Sequence, residues 1–256
     1  MDYEEFKSQI LSLTKIDLNA YKERQMKRRI DSLIARHSYK DYKEYVNAIK
    51  TDTSMFEEFV NYLTINVSEF WRNPEQWKIL ERDIIPELLK RSAKLKIWSA
   101  ACSTGDEPYS LVMLLSKFMP LKNIEIIATD IDKQVLEKAQ TGLYNQKSLA
   151  GLPKEFVDKY FDKIGLSNYQ IHDEIKKCVK FSKGNLLEDK FDKGFDLIVC
   201  RNVVIYFTDE AKTDIYRRFH ESLKPGGYLF VGSTEQIINY KALNYTCYHS
   251  FFYKKE

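Results

Sequence analysis

The run IWSAACSTGDEPYSLVM, residues 97–113, sets small side chains between an apolar strand and an apolar helix. Small residues let a ligand approach the backbone, and a helix starting near Glu107–Pro108 offers N–H groups with no intrahelical partner. Pro108 suits that first turn because its missing N–H would have no helical acceptor there anyway. An ordinary strand–helix turn could carry the same small residues. A second feature favours ligand binding. IEIIATD closes another strand with Asp130, 25 residues after Gly105, where doubly wound folds place an acid that accepts hydrogen bonds from a ribose diol. The chain has no G-x-G-x-x-G and no G-x-x-x-x-G-K-[ST], so the usual cradles for dinucleotides and triphosphates are missing. Asp106 and Glu107 would repel a pyrophosphate but suit a cation with an ammonium or sulfonium group. S-adenosylmethionine carries both and needs no phosphate site.

These residues must stand at the ends of neighbouring strands. Strands are expected at Leu95–Trp98, Ile124–Ala128, Phe195–Val199 and Tyr228–Val231, with a last one within Tyr245–Tyr253. Helical patterns at Glu107–Phe118, Lys133–Gln140 and Asp209–Leu223 alternate with them, the signature of a parallel sheet covered on both faces. Tyr169–Ile171 and Lys177–Phe181 break the alternation and read as a small antiparallel β insertion, about 165–182. Residues 1–73 contain neither Gly nor Pro, as helices joined by short polar turns would. Apolar spacing places those helices at Tyr3–Leu13, about Asn19–His37, Tyr42–Ile49 and Met55–Leu63. The expected plan is an all-helical domain (1–73), a connecting helix (74–93, with Gln76–Leu89 interrupted near Pro86) and an α/β domain (94–256).

Composition narrows the classes. The 256 residues carry 40 Lys+Arg against 37 Asp+Glu, a formal charge of +3, which argues against a nucleic-acid coat. Apolar residues make up 44%, enough for a sizeable core. No apolar run approaches the roughly 18 residues of a membrane span, and the opening MDYEEFKSQI is acidic where a signal peptide would be basic. Cys102, Cys178, Cys200 and Cys247 include no C-x-x-C pair, so neither a metal nor a disulfide framework is expected and a reduced cytoplasm is the default.

The sequence resembles the chemotaxis receptor glutamate methyltransferases. The resemblance spans nearly the whole chain through NVSEFWRNPEQW (66–77), IWSAACSTGDEPYS (97–110), ATDID (128–132), GNLLE (184–188), FDLIVCRNVVIYF (195–207) and LKPGGYLFVGSTE (223–235). It implies a class I, Rossmann-like methyltransferase sheet, mostly parallel with an antiparallel last strand, behind a small helical domain. Asn66, Ser68 and Arg72 match the N-x-[ST]-x-F-[FYW]-R motif that closes the helical domain over the cofactor, with Arg72 expected on the methionyl carboxylate. Ala101 and Glu107 match the positions that receive the methionyl amino group, and Asp130 the ribose ligand. Asn185–Leu186 and Arg201–Asn202 match the segments flanking the adenine and the remaining cofactor edge. Tyr206 matches a tyrosine near the transferable methyl group. The family usually has two glutamates before Pro-Tyr-Ser; here the first is Asp106.

The implied reaction carries a methyl group from S-adenosylmethionine to a glutamate carboxylate, leaving S-adenosylhomocysteine and a γ-methyl ester. A free glutamate, with a pKa of about 4.3, is already ionised at neutral pH. No general base is needed, and His37, His172, His220 and His249 form no persuasive pair with an acid. The partner expected from the family is the acidic methylation helices of receptors, reached from a cytoplasmic monomer through protein contacts, without membrane insertion or nucleic acid. Residues 22–36 hold a net +4, so Lys22, Arg24, Lys27, Arg28 and Arg29 are the candidate docking residues. The segment around 161–181 lacks a Gly-rich extension, and no dependence on a receptor C-terminal tether is expected. Two other readings stay open: a methyltransferase of the same build acting on another protein or small molecule, and a module that binds S-adenosylmethionine without turnover.

Overall fold

A computed structural model describes all 256 residues. They form two compact units, Met1–Asn66 with Val204–Ile215, and Val67–Val203 with Tyr216–Glu256.

The first unit holds α1 (Tyr3–Thr14), α2 (Glu23–Arg36), α3 (Tyr42–Thr51) and α4 (Thr53–Thr64). Three of these helices start on an aspartate. Asp2, Asp41 and Asp52 accept backbone N–H groups of the first turns, which satisfies donors the helix cannot. Phe6, Ile10, Met26, Ile30, Leu33, Tyr45, Val46, Ile49, Phe59 and Leu63 form the buried face, as their spacing predicts. The expected helix from Asn19 to His37 is broken at its start. Leu18–Ala20 is a single 3₁₀ turn, and Tyr21 and Lys22 are extended. The cause is pairing with residues distant in sequence. Lys22 N–H donates to the Tyr206 carbonyl (2.9 Å), Thr208 N–H donates to the Ala20 carbonyl (2.8 Å), and the rings of Tyr21 and Phe207 meet edge to face at 4.9 Å.

The second unit opens with α5 (Pro74–Ile79) and α6 (Ile85–Arg91), joined by a π turn at Leu80–Ile84. The α-helix is thus interrupted just before Pro86, by a wider turn that keeps the helical path. Pro86 has no N–H to donate, and the wider turn accommodates it. The remaining elements are β1 (Ile97–Ala100), α7 (Asp106–Leu115), β2 (Ile126–Asp130), α8 (Lys133–Thr141), β3 (Leu143–Asn145), α9 (Lys154–Tyr160), β4 (Phe161–Ile164), β5 (Asn168–Ile171), α10 (Asp173–Lys176), β6 (Val179–Lys183), β7 (Phe195–Cys200), α11 (Asp209–Ser222), β8 (Leu223–Val231), β9 (Tyr245–His249) and β10 (Phe252–Lys255). The main sheet has the order β6-β2-β1-β7-β8-β10-β9, with β6 to β8 parallel and β10 antiparallel to both β8 and β9. Every residue of β1 and β7 is buried, as befits central strands covered on both faces. The alternation of strands and helices is thus a doubly wound sheet, its last strand resolved into a hairpin.

One expectation is corrected. Lys177–Phe181 is not in the insertion: β6 pairs parallel with β2, from Ile126↔Val179 to Asp130↔Lys183, at the edge of the main sheet. The small antiparallel sheet is β3-β5-β4, spanning 143–171. An edge strand with one face in water carries polar residues at alternate positions, so VKFSK reads like a surface hairpin.

Candidate active site

The turn after β1 is built from backbone conformations that only small or special residues hold easily. Ala101 (φ 63°) and Ser103 (φ 47°) are left-handed, and Gly105 (φ 88°) precedes α7. A Cβ on Gly105 would stand 2.9 Å from the Ala139 Cβ, so glycine is required for both conformation and space. The turn is tied to the end of β2. Cys102 N–H donates to the Thr129 carbonyl (2.9 Å), and Ser103 N–H donates to Asp130 Oδ2 (2.8 Å). Asp130 Oδ1 accepts the Asp132 N–H at 3.0 Å. Each Asp130 oxygen keeps a lone pair for a further donor. Burial pushes the Asp130 carboxyl up to about 6, opposed by those backbone N–H groups.

The two carboxylates that open α7 have different surroundings. Asp106 takes a hydrogen bond from the Thr104 hydroxyl (2.5 Å) and another from Ser68. It therefore ties the 66–77 segment to the turn, and Ser68, expected at the cofactor, has its hydroxyl on Asp106. Glu107 Oε1 accepts the Ser99 hydroxyl at 2.8 Å, and Oε2 lies 3.6 Å from Arg201 Nη1. Burial raises the Glu107 carboxyl, Arg201 lowers it, and the neighbouring Glu235 raises it again. Glu107, with 13% of its side chain exposed, thus pairs with the buried Arg201 guanidinium, and the buried Glu235 carboxylate acts on both electrostatically. Arg72 adds a second positive charge beside Arg201, so the carboxylates lie in a charged cluster of both signs.

Arg201 is turned towards the 66–77 segment. Its Nη2 donates to the Arg72 carbonyl (2.8 Å), Asn73 Oδ1 (3.0 Å) and Gln76 Oε1 (2.8 Å). With the Trp71 N–H on Ser110 Oγ (3.1 Å), these bonds fix the 66–77 segment against α7 and the end of β7. Trp71 (φ 56°) and Asn73 (φ 60°) are left-handed there. The Arg72 guanidinium is partly exposed and donates to the Val67 carbonyl (3.3 Å). Asn202 follows Arg201, also left-handed, with its Oδ1 buried and without a protein partner. Ser103 Oγ is orphaned in the same way. Buried polar atoms are rarely left so unless a ligand or water completes them.

Asn185 and Leu186 line a cavity of about 180 Å³ together with Trp98, Thr129, Gly184 and Phe191. The Asn185 amide oxygen accepts the Leu187 N–H (3.0 Å), and the Leu186 carbonyl accepts from Arg218 (2.7 Å), so the loop is held by its own bonds. Within this unit the structure therefore groups Arg72, Glu107, Arg201 and the Ser68–Asp106 pair, with Asp130 and Ala101 on the adjoining turn. Asn66 and Tyr206 belong to the first unit, where Asn66 Nδ2 donates to Thr64 Oγ1 (2.9 Å) and Tyr206 ends a 3₁₀ turn, Val204–Tyr206. There the basic helix is also sorted. Lys22, Arg24 and Arg28 are exposed, Lys27 pairs with Asp31 (2.8 Å), and Arg29 turns inward to donate to the Tyr62 carbonyl (2.6 Å). Ser99, Gln76, Gly232 and Glu235 join the site without having been singled out in the sequence. Their only signal was membership of the quoted motifs.

The residues fit S-adenosylmethionine. Asp130 offers acceptors at the end of β2, Glu107 offers negative charge, and Ser103 and Asn202 offer unpartnered polar atoms. No group of three or more His, Cys, Asp or Glu side chains is arranged to hold a metal ion. This sheet order with this site defines a class I S-adenosylmethionine-dependent methyltransferase. More narrowly, the chain belongs to the CheR methyltransferase family: residues 66–250 match its SAM binding domain and residues 1–64 its all-alpha domain. It is 43% identical over 241 residues to the chemotaxis protein methyltransferase of Listeria innocua, covering 94% of this chain and 92% of that one. Chemotaxis protein methyltransferase 1 of Pseudomonas aeruginosa is 35% identical over 249 residues, covering 93% and 91%. The chemotaxis protein methyltransferase of Borreliella burgdorferi is 33% identical over 243 residues, covering 90% and 86%. No helix is long and apolar enough to cross a membrane.

Proposed function

We propose that the protein methylates glutamate side chains on the cytoplasmic methylation helices of chemoreceptors, forming γ-methyl esters. The observation that carries this reading is the Glu107–Arg201–Glu235 cluster at the β1–α7 turn of a chain in the CheR family. The cofactor supplies an electrophilic methyl group on a sulfonium. Glu107 holds its ammonium, Arg72 its carboxylate through a charge-assisted contact, and Asp130 the ribose hydroxyls. Ala101, Ser68, Asn185, Leu186 and Asn202 shape the remainder of the site, and Asn66 contributes from the end of the helical domain. The substrate carboxylate arrives ionised, so catalysis rests on alignment and on exclusion of water rather than on proton removal. Tyr206 orients that carboxylate.

The basic face of α2 gives a reason for an acidic protein partner. Lys22, Arg24 and Arg28 present positive charge to solvent, and Lys27 adds to it beside Asp31. Such a face speeds encounter with an acidic helix and weakens with salt. The enzyme works as a cytoplasmic monomer that reaches receptor arrays through this contact. The deciding experiment incubates labelled S-adenosylmethionine with receptor cytoplasmic fragments. Base-labile label on glutamates is expected. Cofactor binding without any receptor label would instead favour another substrate or a binding module.

A further inference from the structure

The β8 strand ends at Val231, and the chain turns back at Gly232 so that Glu235 faces the end of β7. One carboxylate oxygen, Oε2, accepts two backbone N–H groups, from Asn202 at 2.6 Å and from Gly232 at 2.8 Å. The Glu235 N–H donates to the Gly232 carbonyl (3.0 Å), and the Tyr216 hydroxyl donates to the Glu235 carbonyl (3.4 Å). Glu235 is 4% exposed, so these bonds form away from water.

The geometry asks for this arrangement at three points. Asn202 leaves a fully buried strand with φ 62°, a conformation that asparagine adopts more readily than most residues but that is still sparsely populated. Its N–H, turned off the ladder at the strand end, needs an acceptor. The space is closed as well. A Cβ on Gly232 would stand 2.5 Å from Glu235 Oε2 and 2.9 Å from the Asn202 nitrogen, so the clamp shuts only on glycine.

We infer that Glu235 is a positioning residue for the cofactor site: by clamping the backbone of Asn202 and Gly232, it holds Asn202 left-handed and presents the unpartnered Asn202 amide oxygen to the ligand. This rests on the S-adenosylmethionine reading of the site and assigns the clamp a part in it. Glu235 touches neither the methyl group nor the incoming carboxylate. Its effect is on cofactor affinity.

The test is calorimetric titration of the full chain with S-adenosylhomocysteine, paired with steady-state methyl transfer. Glu235→Ala is expected to raise Kd, and KM for S-adenosylmethionine, at least tenfold, with kcat at saturating cofactor changed less than threefold. Glu235→Gln keeps a carbonyl oxygen able to accept both N–H groups and is expected to recover most of the affinity lost in Glu235→Ala. Gly232→Ala should reproduce the Glu235→Ala defect. Asn202→Gly tolerates the backbone conformation, removes only the amide, and should weaken binding several-fold without lowering the melting temperature. Wild-type affinity in folded Glu235→Ala overturns the inference, as does a Glu235→Gln defect equal to that of Glu235→Ala. If Glu235→Ala does not fold, unaltered affinity in Asn202→Gly overturns it instead. A wild-type chain that fails to bind S-adenosylhomocysteine brings down the cofactor reading together with the clamp. Normal wild-type binding with unaffected variants removes the clamp alone.

Discussion

The sharpest consequence of the site concerns the charge of Glu107. Glu107→Gln keeps the side-chain volume and leaves a carbonyl oxygen to accept the Ser99 hydroxyl, now at 2.8 Å from Oε1. It removes one negative charge from a cluster that also holds Arg201, Glu235 and Arg72. A hydrogen bond between a ligand ammonium and a buried carboxylate is worth about 1.5–3 kcal/mol net. Its loss corresponds to roughly a 10- to 150-fold rise in Kd. S-adenosylmethionine and S-adenosylhomocysteine share the ammonium but differ in the sulfonium, so calorimetry should show both weakened by similar factors. Methylthioadenosine, which has neither the ammonium nor the carboxylate, should bind Glu107→Gln as it binds the wild type. The unliganded protein should melt at a lower temperature, because the buried Arg201 guanidinium loses its ion-pair partner at 3.6 Å, so affinities are compared well below the melting range. Undiminished S-adenosylhomocysteine affinity, or equal weakening of methylthioadenosine, would refute the assignment of Glu107 to the ammonium.

Burial raises both Glu107 and Asp130, the latter to about 6, so ligand affinity should be full above that range and fall as pH drops through it. Titrations near pH 5.5 in buffers of different ionisation enthalpy should then show proton release on binding. For the ligand-free fold the sign is opposite: a carboxyl raised above its ordinary value of 3.8 contributes stability at acid pH that is lost as pH climbs from about 4 to 6. Tyr206→Phe should lower kcat on receptor fragments with S-adenosylhomocysteine affinity near normal; unchanged turnover would remove Tyr206 from substrate orientation. Arg24→Glu with Arg28→Glu should reduce kcat/KM on receptor fragments and flatten its salt dependence, leaving the melting temperature within a degree or two. Arg29→Glu should instead destabilise the helical unit by about 1–3 kcal/mol, because it removes the donor to the Tyr62 carbonyl.

What was legible in the chain follows from how local each signal is. Strands β1 and β7 are mostly apolar runs, broken only by Ser99 and Asp196, and the helical spacing of Phe6, Ile10, Met26, Ile30 and Leu33 maps directly onto buried faces. The turn at 101–107 and the placing of Asp130 at the end of β2 were also readable, because small residues between a strand and a helix and an acid closing a strand are local signals. Three features escaped because their causes lie far away in sequence. The break before α2 carries no Gly or Pro; it comes from pairing of residues 20–22 with 206–208. The strand β6 looks like a hairpin arm until its parallel partner β2 is known. Glu235 sits 33 residues from Asn202, and nothing in GSTE announces which backbone it holds.

The same distribution explains why the site costs stability and why that cost is tolerated. Among the ten non-glycine residues with positive φ, five lie in the site segments: Trp71, Asn73, Ala101, Ser103 and Asn202. Sparsely populated backbone conformations cost on the order of 1–3 kcal/mol each, and they persist only where surrounding bonds over-determine them. Those bonds can be named: Trp71 N–H to Ser110, Asn73 Oδ1 to Arg201, Ser103 N–H to Asp130 and Asn202 N–H to Glu235. Each anchors a strained residue through a polar side chain, so the framework itself fixes the shape of the turns. A site pre-shaped in this way spends little binding energy on reorganisation. The Glu107 carboxylate and the orphaned oxygens of Ser103 and Asn202 are then the interactions left for the cofactor to complete. Binding should accordingly raise the melting temperature by more than backbone ordering alone could supply.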